Sequence, residues 1–168
     1  MVDLDHFKKI NDCYGHNIGD RALVHATDIL RNTTRDTDLV ARWGGEEFAI
    51  LIAADEQCEL LAAAENMRLK LATTRLEFSV DEHTKHPIQV FASIGVSEIF
   101  TGEEDAEGLI QDSDMALYAA KGKGDINTDL YAPPPEVGDP RNRVCFVKSN
   151  ESREKELHVH NPHSKKST

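Results

Sequence analysis

The sequence has no long apolar run and few cysteines, and each shortage excludes a class of protein. No stretch approaches the ~20 apolar residues of a membrane-spanning helix, and the start does not resemble a secretory signal. The three cysteines have neither metal-ligand spacing nor the even number of a disulfide framework. We therefore expect a cytoplasmic chain without a membrane segment, in a reducing compartment.

Positive charge is also scarce in most of the chain. Residues 1–131 carry 12 Lys and Arg against 25 Asp and Glu, a net charge of −13, whereas residues 132–168 carry a net charge of +2. An acidic body argues against a function in binding DNA or RNA. It leaves room for a nucleotide site, because such a site needs only local cations and a metal ion.

The change in composition near residue 131 predicts two regions. Residues 1–131 have the length and the periodicity of one folded domain. A run of three prolines at 133–135 cannot continue a helix or a strand, and the residues after it are polar except for an apolar patch at 144–147. We therefore predict a domain over 1–131 and a disordered or loosely attached tail over 132–168.

Hydrophobic periodicity predicts an α/β (α+β) domain in which helices alternate with strands. Apolar residues at helical spacing indicate helices, and alternation of apolar and polar residues indicates strands. The predicted elements are a strand ending at 4, a helical turn at 7–10, a loop at 11–19, a helix at 20–33, hairpin strands at 39–43 and 48–52, a helix at 58–73, a minor strand at 78–80, a polar turn at 82–87, a strand at 88–96, a helix at 106–121 and an edge strand at 130–131.

The most informative feature is the run RWGGEEF at residues 42–48, between two apolar stretches. The two glycines and two acids predict a tight β-hairpin whose tip carries Glu46 and Glu47. Carboxylates at such a tip can hold a hard divalent cation, or they can simply form a solvated turn. A second acidic pair, Asp3 and Asp5, follows the end of a strand. Together the two acidic segments predict a metal-dependent enzyme that acts on a nucleoside triphosphate.

Short motifs occur in a fixed order along residues 1 to about 131. The ordered set is far more specific than any single motif, and with it the chain resembles the GGDEF domain, the catalytic domain of diguanylate cyclases. The motifs are Asp3-Leu4-Asp5-His6-Phe7-Lys8, Asn11, Tyr14-Gly15-His16, Gly19-Asp20, Arg35 with Asp38, Gly44 to Phe48, Ser93-Ile94-Gly95-Val96, and Asp114 with Ala116-Leu117-Tyr118 and Ala120-Lys121.

The resemblance implies a mixed, antiparallel-containing sheet flanked by helices, similar to polymerase palms and nucleotidyl cyclases. It implies condensation of two GTP to cyclic di-GMP with release of two pyrophosphates, dependent on Mg²⁺ or Mn²⁺. Because each domain holds one GTP, activity implies a homodimer. Members of the family begin earlier, so the resemblance also implies a chain truncated at its N-terminus, without the first helix and most of the first strand.

The resemblance assigns metal binding to the carboxylates of Asp3 and Glu46 and to the Leu4 carbonyl. It assigns catalysis to Glu46 together with Glu47, the second signature acid. Asp5 has two interpretations, a further metal ligand or the N-cap of the following helical turn, and the cap is favoured.

The remaining substrate contacts follow from the same resemblance. Asn11 and Asp20 correspond to the guanine readers, although Asp20 is also placed to cap a helix. The turn at Phe7 and Lys8 is expected to point backbone N–H groups at phosphates, as helix starts do. Lys121 corresponds to a lysine that contacts phosphate.

One position departs from the family. Many members have an arginine four residues after the phosphate-contacting lysine, and here that position is Asp125, with Lys123 nearby. This charge reversal is expected to weaken GTP binding unless Lys123 substitutes. It favours an alternative function, a catalytically impaired module that binds cyclic di-GMP or GTP as a sensor.

An inhibitory site is a further expectation. Arg35 and Asp38 correspond to an arginine and an aspartate that bind cyclic di-GMP as an allosteric inhibitor. Arg68 of a neighbouring subunit is a candidate third contact. A solvated loop with charges of both signs is the alternative interpretation of Arg35 and Asp38.

Overall fold

The computed structural model describes residues 1–79, 85–99, 106–122 and 141–147, in which helices and strands alternate. None of the helices in these ranges combines the length and apolar composition needed to span a bilayer. The elements are β1 (Val2–Leu4), α1 (Phe7–Tyr14), α2 (His16–Thr33), β2 (Leu39–Gly44), β3 (Glu47–Leu51), α3 (Gln57–Thr73), β4 (Arg75–Ser79), β5 (Lys85–Gln89), β6 (Ala92–Ser97), α4 (Ala106–Ala120) and β7 (Val144–Val147).

The central sheet has five strands in the order β2-β3-β1-β6-β7. The β6–β7 pair is parallel and the other pairs are antiparallel, whereas β4 and β5 form a separate hairpin. The short strand β1 is central, and its Asp3 lies opposite Glu47 on one side and Ser93 on the other. This mixed sheet flanked by helices confirms the predicted fold class. The largest fully buried side chains among the described residues include Val2, Leu4, Leu30, Phe48, Leu71, Val90 and Val144.

Close packing of α4 on β6 places the C-terminal end of α4 beside the central strands. Gly95 has no side chain to separate them, and a Cβ there would overlap the backbone of Ser113 and Leu117. The end of α4 is therefore held against the central strands, and the residue that follows it, Lys121, reaches the end of β1.

The predicted loop at 11–19 is wrong. Most of this segment is helical, in the second half of α1 and the first turn of α2, and the two helices are separated only by Gly15 at φ 82°. The polar residues that suggested a loop lie mostly on exposed faces, whereas Phe7 and Ile10 bury the other face of α1. Glycine tolerates the left-handed conformation that separates the helices.

The single strand predicted over 88–96 is two strands in different sheets. Its first part belongs to β5, which begins at Lys85 and so also replaces part of the polar turn predicted at 82–87. The chain leaves the β4–β5 hairpin at Val90 and enters the central sheet as β6. Alternation alone could not show this change, because the residues on both sides of it have buried apolar side chains.

The prediction of a loosely attached tail is wrong for residues 141–147. Strand β7 pairs with β6, and all four of its side chains are buried. Val144 and Phe146 enter the main core, and Cys145 and Val147 pack against alanines of α4. The boundary at 131, the edge strand at 130–131 and the rest of the predicted tail lie outside the described residues.

Candidate active site

The tip of the β2–β3 hairpin is a two-residue turn, Gly45-Glu46, held in place by Arg42. Gly44 pairs with Glu47 across the strands. The Arg42 guanidinium donates from Nε and Nη2 to the Gly45 carbonyl at 3.1 and 2.6 Å. The tip is therefore braced from its own strand, with the half-buried Glu46 carboxyl beside the end of β1.

The end of β1 supplies the second acidic group. Asp3 is buried and lies opposite Glu47, so the two carboxylates share one face of the sheet. The backbone N–H of Leu4 donates to the Glu46 carbonyl at 3.1 Å, which ties the tip to β1. Three of the residues predicted for metal binding, Asp3, Leu4 and Glu46, are thus brought together.

Lys121 is the cation of this cluster. Its Nζ lies 2.6 Å from Asp3 Oδ2, and both side chains are largely shielded from solvent. The sequence placed these two residues in separate roles, one on a metal and one on phosphate. They meet because α4 packs closely on β6.

The electrostatics of Glu46 reflect this concentration of charge. Burial raises the pKa of Glu46, the negative charges of Asp3 and Glu47 raise it further, and Lys121 opposes them. Three carboxylates therefore face one ammonium, and an added cation would relieve their repulsion.

Hard carboxylate oxygens are the ligands that Mg²⁺ and Mn²⁺ prefer, so the residues present fit such an ion. Across the described ranges, no three His, Cys, Asp or Glu side chains form a metal-binding group on their own. A divalent ion here would draw on Asp3 and Glu46 and on a backbone carbonyl such as that of Leu4.

The start of α1 lies directly after this acidic cluster. His6 is the N-cap residue, in a left-handed conformation at φ 58°, and no side chain caps the helix. The favoured N-cap role of Asp5 is therefore wrong. Phe7 is buried and fixes the first turn, whereas Lys8 is exposed. The first N–H groups of a helix have no partner within the helix, which suits them to an anion.

Asp5 instead holds the chain just before β7. Its Oδ1 accepts a hydrogen bond from Ser93 Oγ and its Oδ2 accepts one from the Asn142 N–H, both at 2.9 Å. Burial raises the pKa of Asp5, and these two hydrogen bonds oppose the rise. Both oxygens point toward protein donors, which argues against the alternative role of Asp5 as a metal ligand.

Arg141 is the residue of this region that sequence reasoning missed. Its Nη1 lies 3.3 Å from His6 Nδ1, although 135 positions separate the two residues. An arginine therefore lies next to the start of α1, while Asp125 and Lys123, on which the expected charge reversal rests, lie outside the described residues. One sequence signal could have indicated this role of Arg141. Two arginines, at 141 and 143, precede a short apolar run, but both lie in the segment that was predicted to be a tail.

The two predicted guanine readers lie near each other at the α1–α2 corner. Asn11 is on α1, and its side-chain amide packs on Gly19 so closely that a Cβ there would overlap Asn11 Oδ1. Asp20 follows Gly19 and is exposed. It is the fifth residue of α2, so the capping interpretation of Asp20 is wrong.

Arg35 and Asp38 form a closed turn before β2. Asp38 Oδ2 accepts from the Arg35 N–H at 2.8 Å, and the Arg35 carbonyl accepts from the Asp38 N–H at 3.0 Å. Asp38 Oδ1 is buried without a partner among the described residues. Arg68 is buried and bound twice to Glu65, at 2.6 and 2.8 Å, so it is not presented to a neighbouring subunit as suggested.

Comparison with known proteins shows the family of this chain. The family model described as "Diguanylate cyclase, GGDEF domain" matches residues 1–127, well over half of the chain. The chain belongs to the GGDEF domain family. Diguanylate cyclase DosC of Escherichia coli is 37% identical to it over 131 residues, which are 78% of this chain and 27% of DosC. The GGDEF chain thus spans little more than a quarter of that relative.

Solved GGDEF structures share the fold. The GGDEF domain of DgcB from Caulobacter crescentus, in complex with c-di-GMP, aligns with a TM-score of 0.68 at 27% identity, over 86% of this chain and 74% of that one. The active GGEEF domain of a diguanylate cyclase from Vibrio cholerae aligns with a TM-score of 0.65 at 30% identity, over 86% of this chain and 78% of that one.

Proposed function

We propose that this GGDEF domain is a diguanylate cyclase, which condenses two GTP to cyclic di-GMP and releases two pyrophosphates. The observation that carries the proposal is the meeting of Asp3, Glu46 and Lys121 at the end of β1. Two carboxylates and one ammonium at a single point suit a substrate that combines a triphosphate with a divalent cation. The relatives named diguanylate cyclase support this assignment.

The reaction requires a ribose 3′-oxygen to attack an α-phosphorus, forming one P–O bond while the bond to pyrophosphate breaks. A bound Mg²⁺ or Mn²⁺ would neutralise phosphate charge and lower the pKa of the attacking hydroxyl. Asp3 and Glu46, with the Leu4 carbonyl, would hold that ion. Glu47, which lies opposite Asp3 on β3, would orient the hydroxyl and accept its proton.

The other residues would bind the nucleotide. Lys121 and the first turn of α1, at Phe7 and Lys8, supply positive charge and N–H groups for the phosphates. Asn11, whose side chain packs on Gly19, and the neighbouring Asp20 would form hydrogen bonds at the guanine edge.

Arg141 adds a second cation at the phosphate end of the proposed site. It lies beside His6, immediately before α1, so its guanidinium can reach the same phosphates as the helix start. The chain therefore has an arginine near the start of α1 that does not depend on residue 125. This supports an active enzyme over an impaired one.

The product contains two nucleotides, and the proposed site holds one. Two copies of the domain must therefore face each other with their hairpin tips and α1 starts inward, which requires a homodimer with two-fold symmetry. Each copy would present its 3′-hydroxyl to the α-phosphate held by the other.

Substitution of Glu46 tests the proposal. In Glu46→Gln the shape is kept and the charge is lost, so formation of cyclic di-GMP from GTP and Mg²⁺ should fall by about 100-fold or more, since even outer-shell partners of a metal cost up to about that much. Asp28→Asn, an equal charge change on the exposed face of α2, should leave turnover unchanged. Retained turnover in Glu46→Gln would refute the metal assignment.

A sensor of cyclic di-GMP is the second candidate function. The closed turn of Arg35 and Asp38 favours it, because the turn holds the arginine and the aspartate of the expected inhibitory site together before β2. Calorimetric titration with cyclic di-GMP distinguishes the two functions. Binding that Arg35→Ala abolishes, in a chain that makes no product from GTP, would support the sensor over the cyclase.

A further inference from the structure

The contacts of Asp5 link the proposed phosphate site to a part of the chain that the sequence placed outside the domain. Asp5-His6, just before α1, faces Arg141-Asn142, just before β7. The contacts between the pairs include Asp5 Oδ2 with the Asn142 N–H at 2.9 Å and His6 Nδ1 with Arg141 Nη1 at 3.3 Å, and the positive charge of Arg141 also acts on the Asp5 carboxylate.

Each of the facing pairs contains one residue in the left-handed conformation. His6 and Asn142 are the non-glycine residues with positive φ among those described, at 58° and 62°. Few residues other than glycine adopt this conformation, and asparagine and histidine do so more readily than most. The Asn142 carbonyl also accepts from Arg68 Nη1 at 3.4 Å, so this residue is held from two sides.

We propose that Asp5 is a positioning residue, which holds Asn142 and thereby fixes the Arg141 guanidinium beside the phosphate-binding start of α1. The inference rests on the proposed function and deepens it, since it makes the segment 141–147 part of the active site. Ser93 completes the anchor, because its Oγ donates to Asp5 Oδ1 and lies 3.3 Å from the Asn142 N–H.

The physical reason is preorganisation. Ordering a flexible backbone when a ligand binds costs free energy in addition to side-chain rotamer entropy, and a backbone that is already held avoids this cost. The carboxylate of Asp5 is itself buried, so it can hold the backbone of residue 142 without competition from water. Replacement of the carboxylate by an amide leaves one acceptor oxygen for two donors and puts an NH₂ group against the other donor, either Ser93 Oγ or the Asn142 N–H.

The test measures nucleotide binding without turnover. The probe is 3′-deoxy-GTP with Mn²⁺, which cannot react because it lacks the attacking hydroxyl. Arg141→Ala should weaken binding by about tenfold to a hundredfold, as loss of a charged hydrogen bond does. Asp5→Asn should weaken it similarly, and the double variant should be no weaker than Arg141→Ala alone, because both changes remove the same contact.

A second readout separates positioning from metal binding. Asp5→Asn should leave the Kd for Mn²⁺ alone unchanged, whereas Asp3→Asn should raise it. Arg75→Ala on the exposed side of β4 serves as the charge control. If Asp5→Asn fails to melt cooperatively, Ser93→Ala replaces it, with an expected loss of about two- to tenfold that disappears in the Arg141→Ala background.

The outcomes separate the inference from the proposed function. Three results would overturn the positioning role: additive losses of analogue affinity in the double variant, an analogue affinity that Arg141→Ala leaves unchanged, or loss of Mn²⁺ binding in Asp5→Asn. If the wild-type chain still binds the analogue, the cyclase proposal stands. A wild-type chain that binds neither Mn²⁺ nor the analogue would overturn both.

Discussion

Lys121 Nζ lies 2.6 Å from Asp3 Oδ2, so the expected phosphate lysine neutralises the expected metal ligand. The pair joins the residue after α4 to the central strand β1. Glu46 and Glu47 lie nearby, so Lys121 supplies the positive charge that a divalent cation bound to these carboxylates would otherwise supply. Lysine and metal should therefore compete for Asp3 until a triphosphate draws the lysine away.

This competition predicts opposite effects of one substitution on two ligands. Lys121→Met should bind Mn²⁺ about fivefold more tightly in the absence of nucleotide, equivalent to the ~1 kcal/mol of a partly exposed ion pair. It should bind 3′-deoxy-GTP more weakly, because a phosphate contact is lost. Paramagnetic resonance of free Mn²⁺ and calorimetry measure the two affinities.

Lys8→Met is the matched control for this experiment. It removes the same charge from the exposed face of α1, so Mn²⁺ affinity should stay near the wild-type value. Equal gains in Lys8→Met and Lys121→Met would show a general charge effect, and the specific Asp3 contact would then have no role in metal binding.

The raised pKa of Glu46 predicts a pH dependence of stability. Between its ordinary value of 4.5 and the higher folded value, folded chains hold more protons at Glu46 than unfolded chains do. The free energy of unfolding should therefore fall as pH rises through this window. Denaturant unfolding at several pH values should show this decline in the wild type and a smaller one in Glu46→Gln. Identical curves would contradict the shift.

Two glycines make a contrasting pair of predictions. Gly95→Ala places a methyl group against the backbone of α4 and should reduce the free energy of unfolding by about 3 kcal/mol or more. Gly19→Ala overlaps only the end of the Asn11 side chain, which can rotate away, and meets Phe7 Cζ at an ordinary contact distance of 3.4 Å. Stability should therefore change by less than ~1 kcal/mol, the size of the helix preference of alanine over glycine.

Gly19→Ala should reduce nucleotide affinity more than it reduces the free energy of unfolding. Displacing Asn11 removes a proposed guanine contact, so affinity for 3′-deoxy-GTP should fall by about tenfold and approach that for 3′-deoxy-ATP. Thermal melting and calorimetry on the same sample measure both effects. Unchanged preference for the guanine nucleotide would remove Asn11 from the proposed site.

The acidic part of the site was predictable because it depends on local structure. A hairpin tip and a strand end each follow from a few neighbouring residues, and register then places Asp3 opposite Glu47. The contribution of Arg141 depends on tertiary packing instead. Strand β7 is held by β6 and by alanines of α4, which no local pattern reveals, so its short apolar run looked like part of a tail.

Cysteine reactivity tests whether β7 is part of the core in solution. Cys145 lies in β7, is fully buried, and has a pKa raised by burial to about 11, whereas Cys13 and Cys58 are exposed. Near pH 8 only about one in a thousand Cys145 thiols would be ionised even if reagent reached them. Native protein should therefore react with Ellman's reagent at two thiols, and at a third only after unfolding in guanidinium.

The reaction rate of Cys58 should reflect its hydrogen bond. Cys58 donates to Glu56 Oε2 at 3.3 Å, which raises the pKa of Cys58 and should slow its reaction relative to an exposed thiol without such a bond. Cys145→Ala is the control, with two reactive thiols both before and after unfolding. Rapid reaction of three thiols in the native wild type would mean that β7 leaves the sheet, and Arg141 could not then be held beside His6.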